Sequence, residues 1–154
     1  MPIPFHDNHA SMLDVMSGLK PRSLPIITSQ VTTDEAIQAM IETPHARILY
    51  VTDERGTLLG TISLGALIRH LFSANHEPQI HGRTSIAAIA NEVVSDIMRP
   101  NPIYATEGEQ IGDVLQRMIS ANVKEIPVVD SAKRVIADVT VLDLLSHLRQ
   151  APGE

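Results

Sequence analysis

The sequence predicts an α/β (α+β) protein made of two β-α-β-β-α repeats packed sheet to sheet. Two passages carry that prediction. From Ile48 the chain reads ILYVTDERGTLLGTISLGAL, and from Glu125 it reads EIPVVDSAKRVIADVTVLDLL. In each, an apolar strand ends at an aspartate (Asp53, Asp130) and a polar turn follows. A second apolar run then reaches a hydroxyl residue (Ser63, Thr140), and a helix begins. The third observation is the spacing. Pro25 and Pro102, Asp53 and Asp130, Ser63 and Thr140, and His70 and His147 all stand 77 positions apart, and inside the first helix the offset slips to 78 (Met40, Met118). A fixed offset marks a duplicated unit. One unit of this size buries too little apolar surface to stand alone, so two are expected to pack on each other.

The elements follow in order. Residues 1–10 hold two prolines and polar side chains and are expected to be loose. Ser11–Met16 has the makings of a short helix, and Gly18, Pro21 and Pro25 keep the chain extended to about Ile27. Thr32 and Glu35 have the spacing of a helix-capping pair. Ala36, Ile37, Met40 and Ile41 then recur at helical spacing and are expected to face the core, with Pro44 past the helix end. Ile48–Thr52 and Leu58–Ile62 read as a hairpin around Asp53-Glu54-Arg55-Gly56, with Gly56 free to take positive φ. Leu64, Leu67, Ile68 and Leu71 mark a helix. Polar residues with Pro78 and Gly82 make a connector. Ile86–Ile97 is expected to be helical up to Met98-Arg99-Pro100. Val114, Leu115, Met118 and Ile119 then repeat the first helix. The expected organisation is a first repeat over 11–72, a connector over 73–84, a second repeat over 85–150 and a tail over 151–154.

Composition removes several function classes. Net charge is −6 and aromatics are 3% of the chain, so neither a basic stripe for phosphate backbones nor a stacking platform for bases is expected, and no nucleic-acid partner. There is no cysteine, hence no disulfide and no thiolate metal site, which fits a reducing compartment. No apolar run approaches the ~20 residues of a membrane span, and MPIPFHDNHA lacks the layout of a signal peptide, so a cytoplasmic protein without membrane insertion is expected. His6, His9, His76 and His81 show no metal-ligand spacing, and no metal is expected. His70 and His147 are expected at partly exposed helix edges. No P-loop, G-x-S-x-G or H-E-x-x-H motif occurs, so the chain is not expected to be an enzyme. Asp53 and Asp130 read as turn-forming residues.

Asp96-Ile97-Met98 followed by Asn101-Pro102-Ile103, the helix with Met118, Ile126-Pro127-Val128-Val129-Asp130 and Thr140-x-x-Asp143 together resemble a cystathionine-β-synthase (CBS) domain. With the first copy, the chain from about Leu13 to Leu148 resembles a tandem pair, a Bateman module. The resemblance implies two repeats about a pseudo-two-fold axis, a homodimer of such pairs, and clefts between repeats for adenosine compounds such as AMP, ADP, ATP or S-adenosylmethionine. It implies a regulatory module, here expected to stand alone and to signal to a separate effector protein.

It also implies site residues. Asp143 would hold the vicinal ribose hydroxyls, with Thr140 in support. Two hydroxyls on one carboxylate form charge-assisted bonds of the stronger kind, and positions i and i+3 share a helix face. The same T-x-x-D spacing also suits a helix N-cap with an acidic first turn. Backbone around Pro25, Ala46 and Asp138 would read the base, and Arg47, Lys124 and Lys20 would meet phosphates. Glu125 beside Lys124 disfavours a highly charged tail and so weakly favours AMP, ADP or a neutral-tailed adenosine. Ser63, Ala66 and Pro102 make a degenerate second site, because Ala66 stands where Asp143 stands and a methyl accepts no hydrogen bond. Ala137, in place of Gly60, would crowd a ligand close to the backbone. The competing expectation is a ligand-free dimerisation or scaffold module.

Overall fold

The computed structural model describes residues 10–72 and 91–149. Residues 1–9 of the terminus expected to be loose, the connector with His76 and His81, residues 86–90 of the expected helix and the tail lie outside the described residues. The elements are α1 (Met12–Ser17), β1 (Ile26–Thr28), α2 (Thr33–Glu42), β2 (Ile48–Thr52), β3 (Leu58–Ser63), α3 (Leu64–Leu71), α4 (Val94–Ile97), β4 (Arg99–Pro100), β5 (Ala105–Thr106), α5 (Ile111–Ala121), β6 (Glu125–Val129), β7 (Val135–Thr140) and α6 (Val141–Arg149). The mixed α/β character and the doubled β-α-β-β-α order are those of the sequence prediction. Among the described residues of the expected Ile86–Ile97 helix, Val94–Ile97 is helical.

The chain divides into two compact units. One runs from Pro25 to Pro102 and holds a sheet ordered β1-β2-β3-β4. The other gathers the chain up to Leu24 with Ile103 onward and holds a sheet ordered β5-β6-β7. They are termed here the Ala66 unit and the Asp143 unit. Each has its own aliphatic core. In the Ala66 unit Ala36, Leu49, Val51 and Val94 are fully buried, and in the Asp143 unit Met12, Ile111, Val114, Met118, Ile126, Val139 and Leu144 are.

These units differ from repeat boundaries drawn along the chain, because each repeat's leading segment docks on the other repeat. Ser11 bridges Gln110, Met12 N–H donates to the Glu109 carbonyl and Ile111 N–H to that of Ala10 (both 2.8 Å). Thr32 bridges Val93, Val94 N–H donates to the Val31 carbonyl and Thr33 N–H to that of Glu92 (both 2.8 Å). The same bonds occur in both units. Each segment also supplies a core residue, Met12 or Val94, with no exposed surface.

The two hairpins share one register. Ile48 faces Ser63 and Glu125 faces Thr140. The outer parallel strands do not keep the 77-residue offset: Ile27 faces Val51 while Ala105 faces Val128, so Leu24 rather than Pro25 corresponds to Pro102. The slip returns after the helices, where α5 ends on Asn122 in the left-handed region (φ 55°) and α2 on Thr43 and Pro44. β5 is also shorter than β1. Tyr50 N–H donates to the Pro25 carbonyl, whereas the matching position in β6 is Pro127, which has no N–H to donate.

Two helix positions depart from expectation. Ile41 and Ile119 point outward, 64% and 74% exposed. The buried stripe of α2 is narrower than the run of apolar residues, with Thr33, Ala36 and Met40 buried and Ile37 partly so.

Candidate functional site

The junction of β7 and α6 holds the two residues singled out for ribose binding. Thr140 ends β7 and precedes α6, leaving the first-turn amides of the helix in need of acceptors. Asp143 N–H donates to Thr140 Oγ1 (3.1 Å), and Thr140 N–H donates to Asp143 Oδ2 (2.8 Å). This is a reciprocal capping box, so the structural role of the T-x-x-D spacing is realised. It also fixes the carboxylate at the helix start with 18% of the side chain exposed.

A third residue reaches this carboxylate. Arg22 Nη2 donates to Asp143 Oδ2 at 2.7 Å, and the same nitrogen donates to the Asp138 carbonyl. Glu125, which faces Thr140 across the hairpin, is buried, as is Asp138. Asp143, Asp138 and Glu125 thus all act electrostatically on one guanidinium. Burial pushes the Asp143 carboxyl up, but the Thr140 amide and the Arg22 guanidinium outweigh it and hold it below its ordinary value.

Sequence reasoning missed Arg22, although a signal was present. Arg22-x-x-Pro25-Ile26 recurs as Arg99-x-x-Pro102-Ile103, at the same offset of 77. The structure gives the repetition its meaning. Arg99 pairs with Thr61 on β3, and Thr61 is the counterpart of Asp138. Each arginine precedes one repeat in the chain and contacts the last strand of the other, Arg22 through its side chain and Arg99 through backbone pairing. The acids are not duplicated. Ile48, Thr61 and Ala66 stand where Glu125, Asp138 and Asp143 stand. In the Ala66 unit the helix start keeps only half of the box, with Ala66 N–H donating to Ser63 Oγ (3.1 Å).

The remaining expected site residues divide between the units. Asp138, Lys124, Lys20, Thr140 and Asp143 belong to the Asp143 unit, and Pro25, Ala46 and Arg47 to the Ala66 unit. Lys124, Lys20 and Arg47 are exposed. The carbonyls of Arg47 and Lys124 accept from Leu64 N–H and Val141 N–H, both at 2.8 Å, so both residues join β2 or β6 to the helix start. Ala46 N–H donates to the Thr43 carbonyl (2.9 Å). Asp53 and Asp130 close their turns. Asp53 Oδ1 accepts from Arg55 and Thr57, and Asp130 Oδ1 from Ala132 and Arg134, all through backbone N–H at 2.8–3.0 Å. Among the described residues no group of three or more His, Asp or Glu could hold a metal ion, and no helix is long and apolar enough to cross a membrane.

The CBS domain family is matched twice, over residues 14–73 and 94–150. The chain belongs to the CBS domain family. Protein MJ1225 of Methanocaldococcus jannaschii is 25% identical in its crystal structure, with a TM-score of 0.74 over 92% of this chain and 48% of that one. The CBS domain pair of protein MJ0100, solved with 5′-methylthioadenosine and S-adenosyl-L-methionine, is also 25% identical, with a TM-score of 0.66 over 90% of this chain and 94% of that one. The meiotically up-regulated gene 70 protein of Schizosaccharomyces pombe is 23% identical over 94% of this chain. The chain spans 18% of that protein's length and 49% of MJ1225's, so it matches part of these longer proteins.

Proposed function

We propose that this CBS pair is a regulatory module that binds an adenosine-bearing small molecule, an adenine nucleotide or an adenosyl compound, at Thr140 and Asp143. The observation that carries the reading is the Asp143 carboxylate. It is fixed by the capping box, held ionised, and still 18% exposed, which suits it to accept from two vicinal hydroxyls. The adenosyl ligands of the 25%-identical MJ0100 pair support the same ligand class. Asp138, Pro25 and Ala46 are the proposed backbone contacts, and Arg47, Lys124 and Lys20 the proposed phosphate contacts. Ser63, Ala66 and Pro102 form the weaker counterpart. The module acts in the cytoplasm as a homodimer and reports ligand occupancy to an effector protein, without catalysis. The outward Ile41 and Ile119, at matching positions on α2 and α5, support self-association.

Isothermal titration with AMP, ADP, ATP, S-adenosylmethionine and 5′-methylthioadenosine tests this reading. Binding of at least one is expected, with loss in Asp143→Ala. A ligand that binds only the folded state must also raise its melting temperature. If none of the five binds or shifts the melt, the reading fails. One observation favours the alternative of a ligand-free scaffold: Asp143 already has partners within the fold, Thr140 and Arg22.

A further inference from the structure

We propose that Arg22 is a latch on the Asp143 carboxylate, which an incoming ligand must expel. The inference rests on the adenosine reading above and adds a competitor to it. A carboxylate oxygen offers two lone pairs. Asp143 Oδ2 receives the Thr140 amide at 2.8 Å and the Arg22 guanidinium at 2.7 Å, so both of its lone pairs are engaged. Vicinal hydroxyls grip a carboxylate through both oxygens. The Thr140 bond belongs to the helix cap and stays, so the bond that must yield is that of Arg22.

The latch is built to open. The Arg22 side chain is 37% exposed, so water can take over its hydrogen bonds, and a half-exposed ion pair is worth little on its own. Arg22 lies on the extended stretch from Lys20 to Pro25 that follows α1 and leads into β1, with no regular ladder to hold it. The Asp138 carbonyl, its second acceptor, comes from the strand that leads into Thr140. Ligand occupancy at Asp143 and the position of this stretch are therefore linked, and linkage is reciprocal. Whatever holds the stretch down weakens ligand, and ligand releases the stretch. The Ala66 unit has no such latch to release, because Ala66 carries no carboxylate.

The test is titration of the full chain, wild type, Arg22→Ala and Arg22→Lys, with 5′-methylthioadenosine, whose uncharged ribose end carries no phosphate to confound the result. Arg22→Ala is expected to bind about 5-fold more tightly than wild type, the scale of one partly exposed ion pair. Wild-type affinity should also rise between about 0.01 M and about 1 M salt as the ion pair is screened, while Arg22→Ala stays level. The salt titration needs no variant, so the inference is still tested if Arg22→Ala is poorly folded. Equal or weaker binding by Arg22→Ala, or a salt-independent wild type, overturns the latch while leaving the adenosine reading intact. Failure of wild type and both variants to bind this probe or the other adenosine compounds overturns both.

Discussion

Arg22 and Asp143 stand 121 positions apart in the chain and 2.7 Å apart in the fold. The contact exists because the segment leading into the first repeat docks on the second. Its sequence twin, Arg99, pairs through its backbone with Thr61, which stands where Asp138 stands, and Thr61 is not an acid. One exchange of segments, made twice, thus yields one helix start with an acid and a bound cation and one helix start without the acid.

Removing Asp143 should weaken the fold as well as any ligand site. Asp143→Ala deletes one arm of the capping box and leaves Arg22 without that carboxylate. Loss of the cap and of a partly exposed ion pair each amount to about 1 kcal/mol or less, so a destabilisation of about 1–2 kcal/mol is expected in urea unfolding. Thr140→Ala should cost about 1 kcal/mol through the cap alone. A Thr140→Ala loss as large as that of Asp143→Ala would deny Arg22 any share.

Acid should unfold the protein through a small set of carboxylates. Asp143 is held below its ordinary value as described, Glu109 chiefly by the Arg117 guanidinium, Asp53 by the Thr57 amide and Asp130 by the Arg134 amide. A carboxyl that is lowered in the folded state binds its proton more readily in the unfolded chain, so acid favours unfolding. Its contribution is complete above the ordinary values, 3.8 for Asp and 4.5 for Glu, and is lost as pH falls below them. Urea midpoints should be level from neutral pH to about pH 5 and fall below that. Asp143→Asn should fall less steeply, since it removes one of the titrating groups.

The repeat was legible because its signals are local. The Asp53 and Asp130 turns, the hydroxyl before each final helix and the strand patterns are all read within a dozen residues, and all form as expected. Arg22 was not legible in that way. Its partner is 121 positions distant, and its repetition at Arg99 acquires meaning only once the segments are seen to exchange. Ile41 and Ile119 show the converse limit. Periodicity placed them on the core stripe, but a helix packed on one side buries only part of a wide apolar face. The matched prolines misled by one residue, because the outer strand of the second sheet pairs one residue further along the chain, Ala105 with Val128 against Ile27 with Val51.

Gly60 answers to packing and not to a ligand. A Cβ built there would lie 2.6 Å from the Arg99 carbonyl oxygen and 2.7 Å from the Met98 sulfur, so the β3–β4 pairing leaves no room for a methyl group. Gly60→Ala should destabilise by about 1–3 kcal/mol, the usual range for overpacking, and urea unfolding measures it. Ala137 holds the matching place on β7, whose sheet has three strands among the described residues. Ala137→Gly should cost only about 1 kcal/mol or less through added backbone freedom.

The missing acid can be restored. Ser63 sits in the same register as Thr140, opposite Ile48 as Thr140 is opposite Glu125, and its hydroxyl already accepts from Ala66 N–H. An aspartate at position 66 should therefore reach back to Ser63 N–H and complete the box. It would also place a negative charge at a helix start, which the helix dipole favours. Ala66→Asp should stabilise the protein by about 0.5–1 kcal/mol, read as a higher urea midpoint at neutral pH that disappears below about pH 4 as the new carboxyl protonates. Arg99→Ala in that background separates the two contributions. If the gain survives, it belongs to the box. If it vanishes, Arg99 has closed on the new acid as Arg22 closes on Asp143, and the two junctions differ in function only by the acids that β2, β3 and α3 lack.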